Sequence, residues 1–470
     1  MEGIHAVILA ISDFLYQPFI VPLLLFAAGV YFTFLLGIPQ IGMLREACKV
    51  ILEKPKNKEG ISSFGALMVS TASRVGTGNI IGVSAAICTG GPGAVFWMWI
   101  TAILGGSSAF VESTLAQIYK KKSADGSSYG GPAYYMQDAL KQRWLGCIFA
   151  FLILLTYAVG YNMLAAYNLQ STFAAFKFYD KTTTPMIIGA ILTVLFAMII
   201  LGGGKRLVKV TALLVPVMGV VYVAVSIIVI LLNIGNVPAM FGEIFANAFD
   251  FQAIFGGFTG SCIMLGVKRG LYSNEAGMGS APNAAATADV SHPVKQGLVQ
   301  MISVFIDTLI ICTATALMCL STGVAHTKEV SGAAYVQNAV QSTLGDFGPI
   351  FIAVAMCLFA FTTLIGNYSY CEGCIKFILK SEPSKELLMG FRVFSSILIY
   401  VGTVSNAGLV WDLADMCQGL MVVTNVPAIL LLGGVAAKCL KDYTKQLEAG
   451  RNPHYIAKEA GLKEETDFWN

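Results

Sequence analysis

Apolar residues along this chain gather into blocks of about 20, separated by short polar and often basic stretches. That length crosses roughly 30 Å of hydrocarbon as a helix. The pattern predicts eleven spans, at residues 17–38, 63–90, 94–119, 145–173, 185–201, 207–232, 253–267, 297–320, 349–378, 387–404 and 409–437. Helix is the expected element throughout, because lipid offers a backbone N–H or C=O no partner. The second and seventh spans depart from the rest, being rich in glycine and polar residues. Met1 to Tyr16 carries no Lys or Arg and so lacks the basic start of a signal peptide. It reads as an interfacial stretch leading into the first span.

Loop charge adds an orientation. Twenty-six of the 30 lysines and arginines fall in alternate loops and the C-terminal tail, three (Lys177, Lys181, Lys328) in the other loops, and Arg74 within a span. Cytoplasmic loops collect such cations, which places the N-terminus outside and the C-terminus inside. In this count Lys268 and Arg269 belong to a cytoplasmic loop after the seventh span. The tail, 438–470, reads as a short cytoplasmic helix followed by disordered chain.

Composition agrees with a bilayer as solvent. Hydrophobic residues make up 56% of the 470 and charged residues 12%, with a mean hydropathy of +0.71. Soluble domains carry about twice that charge. A net charge of +3 without a basic, aromatic-interleaved run argues against nucleic-acid binding. The 11 cysteines are scattered through apolar segments and read as small core residues.

Three stretches could carry chemistry. In the second span, Gly76-Thr77-Gly78-Asn79 weakens a helix near mid-membrane. An unwound turn there would free N–H groups for a carboxylate and carbonyls for a sodium ion. Close packing through small residues is the alternative. The second stretch runs from Gly266 to Pro282, next to a seventh span already weakened at Gly256–Ser261, and suggests another discontinuous helix. An ordinary charged loop would also fit. These two spans are five apart, so they cross in opposite directions. Residues 63–235 and 236–437 then form two inverted five-helix repeats, preceded by an extra helix and loop in 1–62. Such repeats hold substrate and ion between their broken helices. The third is Thr362-Thr363 in the ninth span, whose hydroxyls could complete a sodium cage or bond back to their own helix. Arg74 needs a partner or a wet cavity in the membrane. Glu112 is the candidate partner, and Asp307 is another intramembrane acid.

Other apparent motifs fail. Cys371 and Cys374 form a lone CxxC, Gly202–Lys205 lacks the phosphate-loop spacing, and Asp180-Lys-Thr-Thr has no ATP domain beside it. No nucleophile–base pair supports an enzyme. A channel suits broken helices less well than alternating access does.

The blocks Arg74-Val-Gly-Thr-Gly-Asn79, Gly90-Gly-Pro-Gly-Ala-Val-Phe-Trp-Met-Trp99, Glu112-Ser-Thr-Leu-Ala116 and Gly266-Val-Lys-Arg-Gly270 running on to Pro282 resemble the sodium:alanine/glycine symporters, across nearly the whole chain. The resemblance implies a leucine-transporter-like fold in a prokaryotic inner membrane, an all-α protein that co-transports sodium with a small neutral amino acid. It implies a substrate held by Gly76, Thr77, Gly78 and Asn79, with Met264, Gly266 and Val267 as the facing wall. It implies sodium on the carbonyls of Ala72 and Val75 and the hydroxyls of Thr362 and Thr363. Two departures stand out: Asn367 replaces the tryptophan of alanine-type members, and Ala165 replaces a glutamine. A roomier pocket with Asn367 in it could take glutamine rather than alanine or glycine. A proton-coupled transporter or exchanger of the same fold is the runner-up. A monomer suffices for this mechanism.

Overall fold

The computed structural model describes residues 2–55, 57, 60–123, 126–257, 260–462 and 464–469. The loop cations Lys56, Lys58 and Lys463, and Phe258 and Thr259 of the glycine-rich seventh span, lie outside the described residues. The described chain is almost entirely helical. In order come α1 (Glu2–Leu15), α2 (Val21–Leu35), α3 (Ser63–Arg74), α4 (Ile81–Gly90), α5 (Gly93–Ile118), α6 (Arg143–Ala175), α7 (Thr183–Ile200), α8 (Gly203–Leu232) and α9 (Val237–Ala248). They are followed by α10 (Cys262–Asn274), α11 (Ala281–Ala285), α12 (Pro293–Ser321), α13 (Ala333–Leu344), α14 (Phe347–Leu379), α15 (Lys385–Thr403) and α16 (Ala407–Glu448).

Among the described residues, α5, α6, α7, α8, α12, α14, α15 and α16 are each long and apolar enough to cross a bilayer. These eight make the chain a polytopic, all-helical membrane protein. They match eight of the eleven predicted spans. The other three are the 15-residue α2 and the two glycine-rich segments, which are broken. Residues 2–15 form a helix laid against α16, where His5 Nε2 meets Asp412 at 2.7 Å.

Both broken helices start from a serine cap. Ser62 Oγ accepts from Gly65 N (3.0 Å) and Ser261 Oγ from Met264 N (3.3 Å), each satisfying one orphan donor of a first turn. The two segments run antiparallel. Gly90, at the end of α4, lies against Cys262 and Leu265 at the start of α10. Asp289, beyond α11, donates its N–H to Ile61 O, before α3, at 2.9 Å.

The second interruption falls at residues 275–280, inside the Gly266–Pro282 stretch, where Glu275, Gly277 and Gly279 take positive φ. Two expectations need correction. Lys268 and Arg269 are therefore inside α10 and not in a loop. Arg269 makes a two-pronged ion pair with Asp415 of α16 (3.0 and 3.0 Å) and stacks on Trp411, and Lys268 sits 4.4 Å above the Tyr16 ring. An acid and two aromatic faces supply what a loop would have obtained from water. Finally, the tail is docked. α16 continues to Glu448, Tyr455 N donates to Ser291 O at 3.0 Å, and the buried Trp469 indole donates to Gln117 O at 2.8 Å.

Candidate functional site

Between α3 and α4 the backbone makes a single 3₁₀ turn, Thr77–Asn79, and every residue in it is buried. Asn79 builds this turn. Its Oδ1 accepts from Gly76 N at 2.7 Å, the N–H that would otherwise close onto Ala72 O. Its Nδ2 donates to Asp307 Oδ1 (2.7 Å) and to Ser273 Oγ (3.1 Å). The amide thus ties the first break to α10 and to α12, which widens into a π turn at Phe305–Cys312. Thr77 Oγ1 accepts from Asn168 of α6 at 3.1 Å, and Tyr272 packs so tightly on Gly78 that a Cβ there would lie 2.5 Å from its ring.

The predicted sodium residues are partly brought together. Gly366 of α14 backs onto Ala72 and Ser73 so closely that a side chain at 366 would overlap their backbone. This brings Thr363 onto the turn, where a Cβ at Gly76 would overlap Thr363 Oγ1. Gly76 has φ −145° and ψ −154°, open to any residue, so glycine is demanded here by space alone. Thr363 Oγ1 is buried and has no hydrogen-bond partner among the described residues. Thr362 differs, because its hydroxyl donates back to Leu358 O (3.0 Å) and Phe359 O (3.1 Å) of its own helix.

The predicted second wall lies elsewhere. Gly266 faces α5, where a Cβ would meet Trp97 Cβ at 2.6 Å and Ala94 O at 2.8 Å. Val267 looks into a narrow groove beside Leu25, Phe26 and Thr101, and Met264 is buried one turn into α10. Tyr272 and Ser273 are what face the turn. Ala165 is buried on α6 between Asn162 and Asn168, on the stripe (i, i+3, i+6) that looks toward the break. Asn367 is engaged at both ends: its Oδ1 lies 2.7 Å from Ser73 Oγ, and its Nδ2 donates to Asn162 Oδ1 at 2.9 Å. The amide nitrogen left over is Asn162 Nδ2, buried without a partner among the described residues.

Arg74 and Glu112 do not pair. Arg74 Nη1 donates to the Gln300 carbonyl and side chain (3.3 and 3.4 Å), while Glu112 receives Asn425 Nδ2 (2.9 Å) and Gly277 N (3.4 Å). Asp307 is bonded by Asn79, Ser273 and Thr308 rather than by a cation. Sequence reasoning missed Tyr272, Ser273, Glu275 and Ser280 as site residues. The run Ser273–Ser280 of small and polar residues was the available signal; it lies in the Gly266–Pro282 candidate stretch, but no site role was assigned within it. A cavity of about 210 Å³ approaches the site between α3, α8, α11 and α14, lined by Val69, Asn283, Tyr370, Glu372 and Lys376 among others. Asp180 caps its own turn through Thr182 and Thr183, and all 11 cysteines are free thiols.

The chain is similar over most of its length to several proteins named as transporters. It is 46% identical to a probable sodium/glutamine symporter of Bacillus subtilis, over 94% of this chain and 91% of that protein. It is 44% identical to the amino-acid carrier protein AlsT of the same organism, over 96% and 95%. A sodium/alanine symporter of Methanococcus maripaludis is 35% identical over 93% and 96%. The family model described as the sodium:alanine symporter family matches residues 1–457. With two broken helices crossing at a buried polar turn and a family match over nearly its full length, the chain belongs to the sodium:alanine symporter family, a family of transporters and not of enzymes.

Proposed function

We propose that this protein carries a small neutral amino acid across the membrane together with sodium, binding both at the Gly76–Asn79 turn. The observation that carries the reading is the unpartnered hydroxyl of Thr363 held against Gly76, beside an Ala72 carbonyl whose usual donor is taken by Asn79. Free oxygens converging in a dry interior are what a sodium ion needs. Ala72, Val75 and Thr363 form the proposed ion site, with Thr362 joining once its hydroxyl turns from its own helix. The substrate carboxylate and amine meet Gly76, Thr77, Gly78 and Asn79, with Tyr272 as the opposite wall.

The antiparallel course of the two broken segments supports eleven spans arranged as inverted repeats, 63–235 and 236–437, after the first helix. Lys376 at the cavity, together with the other loop cations, supports a cytoplasmic C-terminus. Glutamine and alanine are both retained as substrates, since relatives are named for each. In the glutamine version Asn162, not Asn367, offers the free amide donor. Uptake of labelled alanine and glutamine into proteoliposomes, with and without an inward sodium gradient, tests the reading. Sodium-driven accumulation of either amino acid is expected. Uptake indifferent to sodium would favour the proton-coupled or exchange alternative.

A further inference from the structure

The two breaks and α14 meet at one hydroxyl. Ser73 Oγ lies 3.0 Å from Glu275 Oε1 and 2.7 Å from Asn367 Oδ1, and a serine has a single hydrogen to give. Glu275 Oε2 accepts from Ser280 Oγ at 2.8 Å. No Lys or Arg nitrogen comes within 4 Å of either carboxyl oxygen among the described residues. Arg74 instead turns to Gln300.

Counting hydrogens leaves two consistent arrangements. In the first, Ser73 donates to Asn367 Oδ1 and Asn367 Nδ2 donates to Asn162 Oδ1. The hydrogen between Ser73 and Glu275 must then belong to Glu275, which is a neutral acid. In the second, Glu275 is ionised and accepts from Ser73. Ser73 must then accept in turn, so the amides of Asn367 and Asn162 are both rotated by half a turn. The two arrangements differ at the far end. With Glu275 protonated, Asn162 presents a free N–H; with Glu275 ionised, it presents a free carbonyl. This is where the structure leaves Asn162 Nδ2 buried and unpartnered.

We infer that Glu275 is a proton-binding site of this transporter, and that the chain Ser73–Asn367–Asn162 carries its protonation state across the first break to α6. The inference rests on the symport reading above and adds a proton-linked step to it. Glu275 is fully buried, and the groups facing it are Arg74 of α3, Glu112 of α5 through Gly277, Tyr157 and Tyr161 of α6, Tyr272 of α10 and Tyr370 of α14. Tyr370 also lines the 210 Å³ cavity, which gives the proton a route from water. The step balances simply: a proton from water in the cavity adds to a carboxylate oxygen of Glu275, and the same proton returns to water on release.

Calorimetric titration of the purified full chain tests this. Sodium chloride, and then alanine and glutamine in saturating sodium, are titrated in two buffers of different ionisation enthalpy. The buffer dependence reports protons exchanged on binding. Exchange of up to about one proton is expected in the native protein between pH 5.5 and 8, and none in Glu275→Gln, which keeps the shape but cannot ionise. Ser73→Ala cuts the chain while leaving Glu275 intact, and should reduce the exchange without altering the fold at the carboxyl. It also serves if Glu275→Gln does not fold. Sodium-driven uptake should vary about threefold across this range in the native protein and be flat in Glu275→Gln. Absence of proton exchange in the native protein, or native exchange persisting in Glu275→Gln, would overturn the inference. Failure of both amino acids to bind counts against the symport reading, and the sodium titration then still decides the role of Glu275.

Discussion

Helices α7 and α8 and the broken pair α3/α4 occupy the same bilayer and are built on opposite rules. Along α8, Leu213 and Val220 are 68% and 69% exposed, a face turned to lipid. From Ser63 to Cys88 every residue except Phe64 and Ala85 is buried. Lipid-facing helices must be apolar, and their unbroken hydrogen bonds need no help. The broken pair can expose backbone, and α10 can carry charge, because surrounding helices supply partners. The most apolar of the long helices, α8, is thus one that offers no hydrogen bond to the turn among the described residues, whereas the turn itself breaks the apolar pattern.

The comparison can be broken most severely at α10. Asp415→Ala would leave Arg269 buried beside Trp411 without its acid. A loss of about 3–5 kcal/mol in stability is expected, read as a large fall in the thermal midpoint of the detergent-purified protein. A midpoint close to native would show that water already reaches Arg269. Next comes Gly76→Ala, whose Cβ overlaps Thr363 Oγ1. Overpacking of this kind costs about 1–3 kcal/mol, expected as a roughly ten- to hundredfold loss of sodium-dependent uptake. Thr363→Ala and Thr362→Ala then divide the ion site. The first should raise the sodium concentration for half-maximal uptake about tenfold, near 1.4 kcal/mol, and the second much less. Equal effects would mean that Thr362 leaves its helical acceptors when sodium binds.

A smaller effect concerns pH. His292 caps α12 just outside the span, and burial pushes its imidazole down to about 4, against a weaker opposing pull from Asp442. The folded protein thus binds this proton more weakly than the unfolded chain does. Its contribution to stability is complete above about pH 6.5 and is lost as pH falls toward 4. The thermal midpoint should fall between pH 7 and 5, and His292→Gln should flatten part of that slope. Smallest of all, Leu213→Ala or Val220→Ala on α8 should change stability by no more than about 0.5 kcal/mol, since lipid replaces what is removed. A clear loss there would point to a partner covering α8.

Much of the architecture was open to a reader of the chain alone. The eight long helices follow from apolar length, and the first break follows from Gly76-Thr77-Gly78-Asn79, because two glycines and an asparagine weaken a helix wherever they stand. The second break lies within the stretch Gly266–Pro282 that its glycines and polar residues mark, at 275–280, though no local rule fixes which residues it takes. Lys268 and Arg269 look like loop residues to any local rule, and only Asp415, Tyr16 and Trp411, far away in sequence, make them helical residues. The same holds for the tail, whose polar composition suggests disorder until Trp469 finds Gln117.

What this sequence determined by itself is therefore what depends on neighbours along the chain: span length, helix weakness and the family blocks. Tertiary structure alone decided which polar groups meet. It placed Thr363 rather than Thr362 with a free oxygen at Gly76, gave Asn367 to Ser73 and Asn162, turned Arg74 to Gln300, and brought Glu275 to the break. Those outcomes rest on hydrogen-bond partners more than a hundred residues apart, and in a dry interior each such group must find its partner in space.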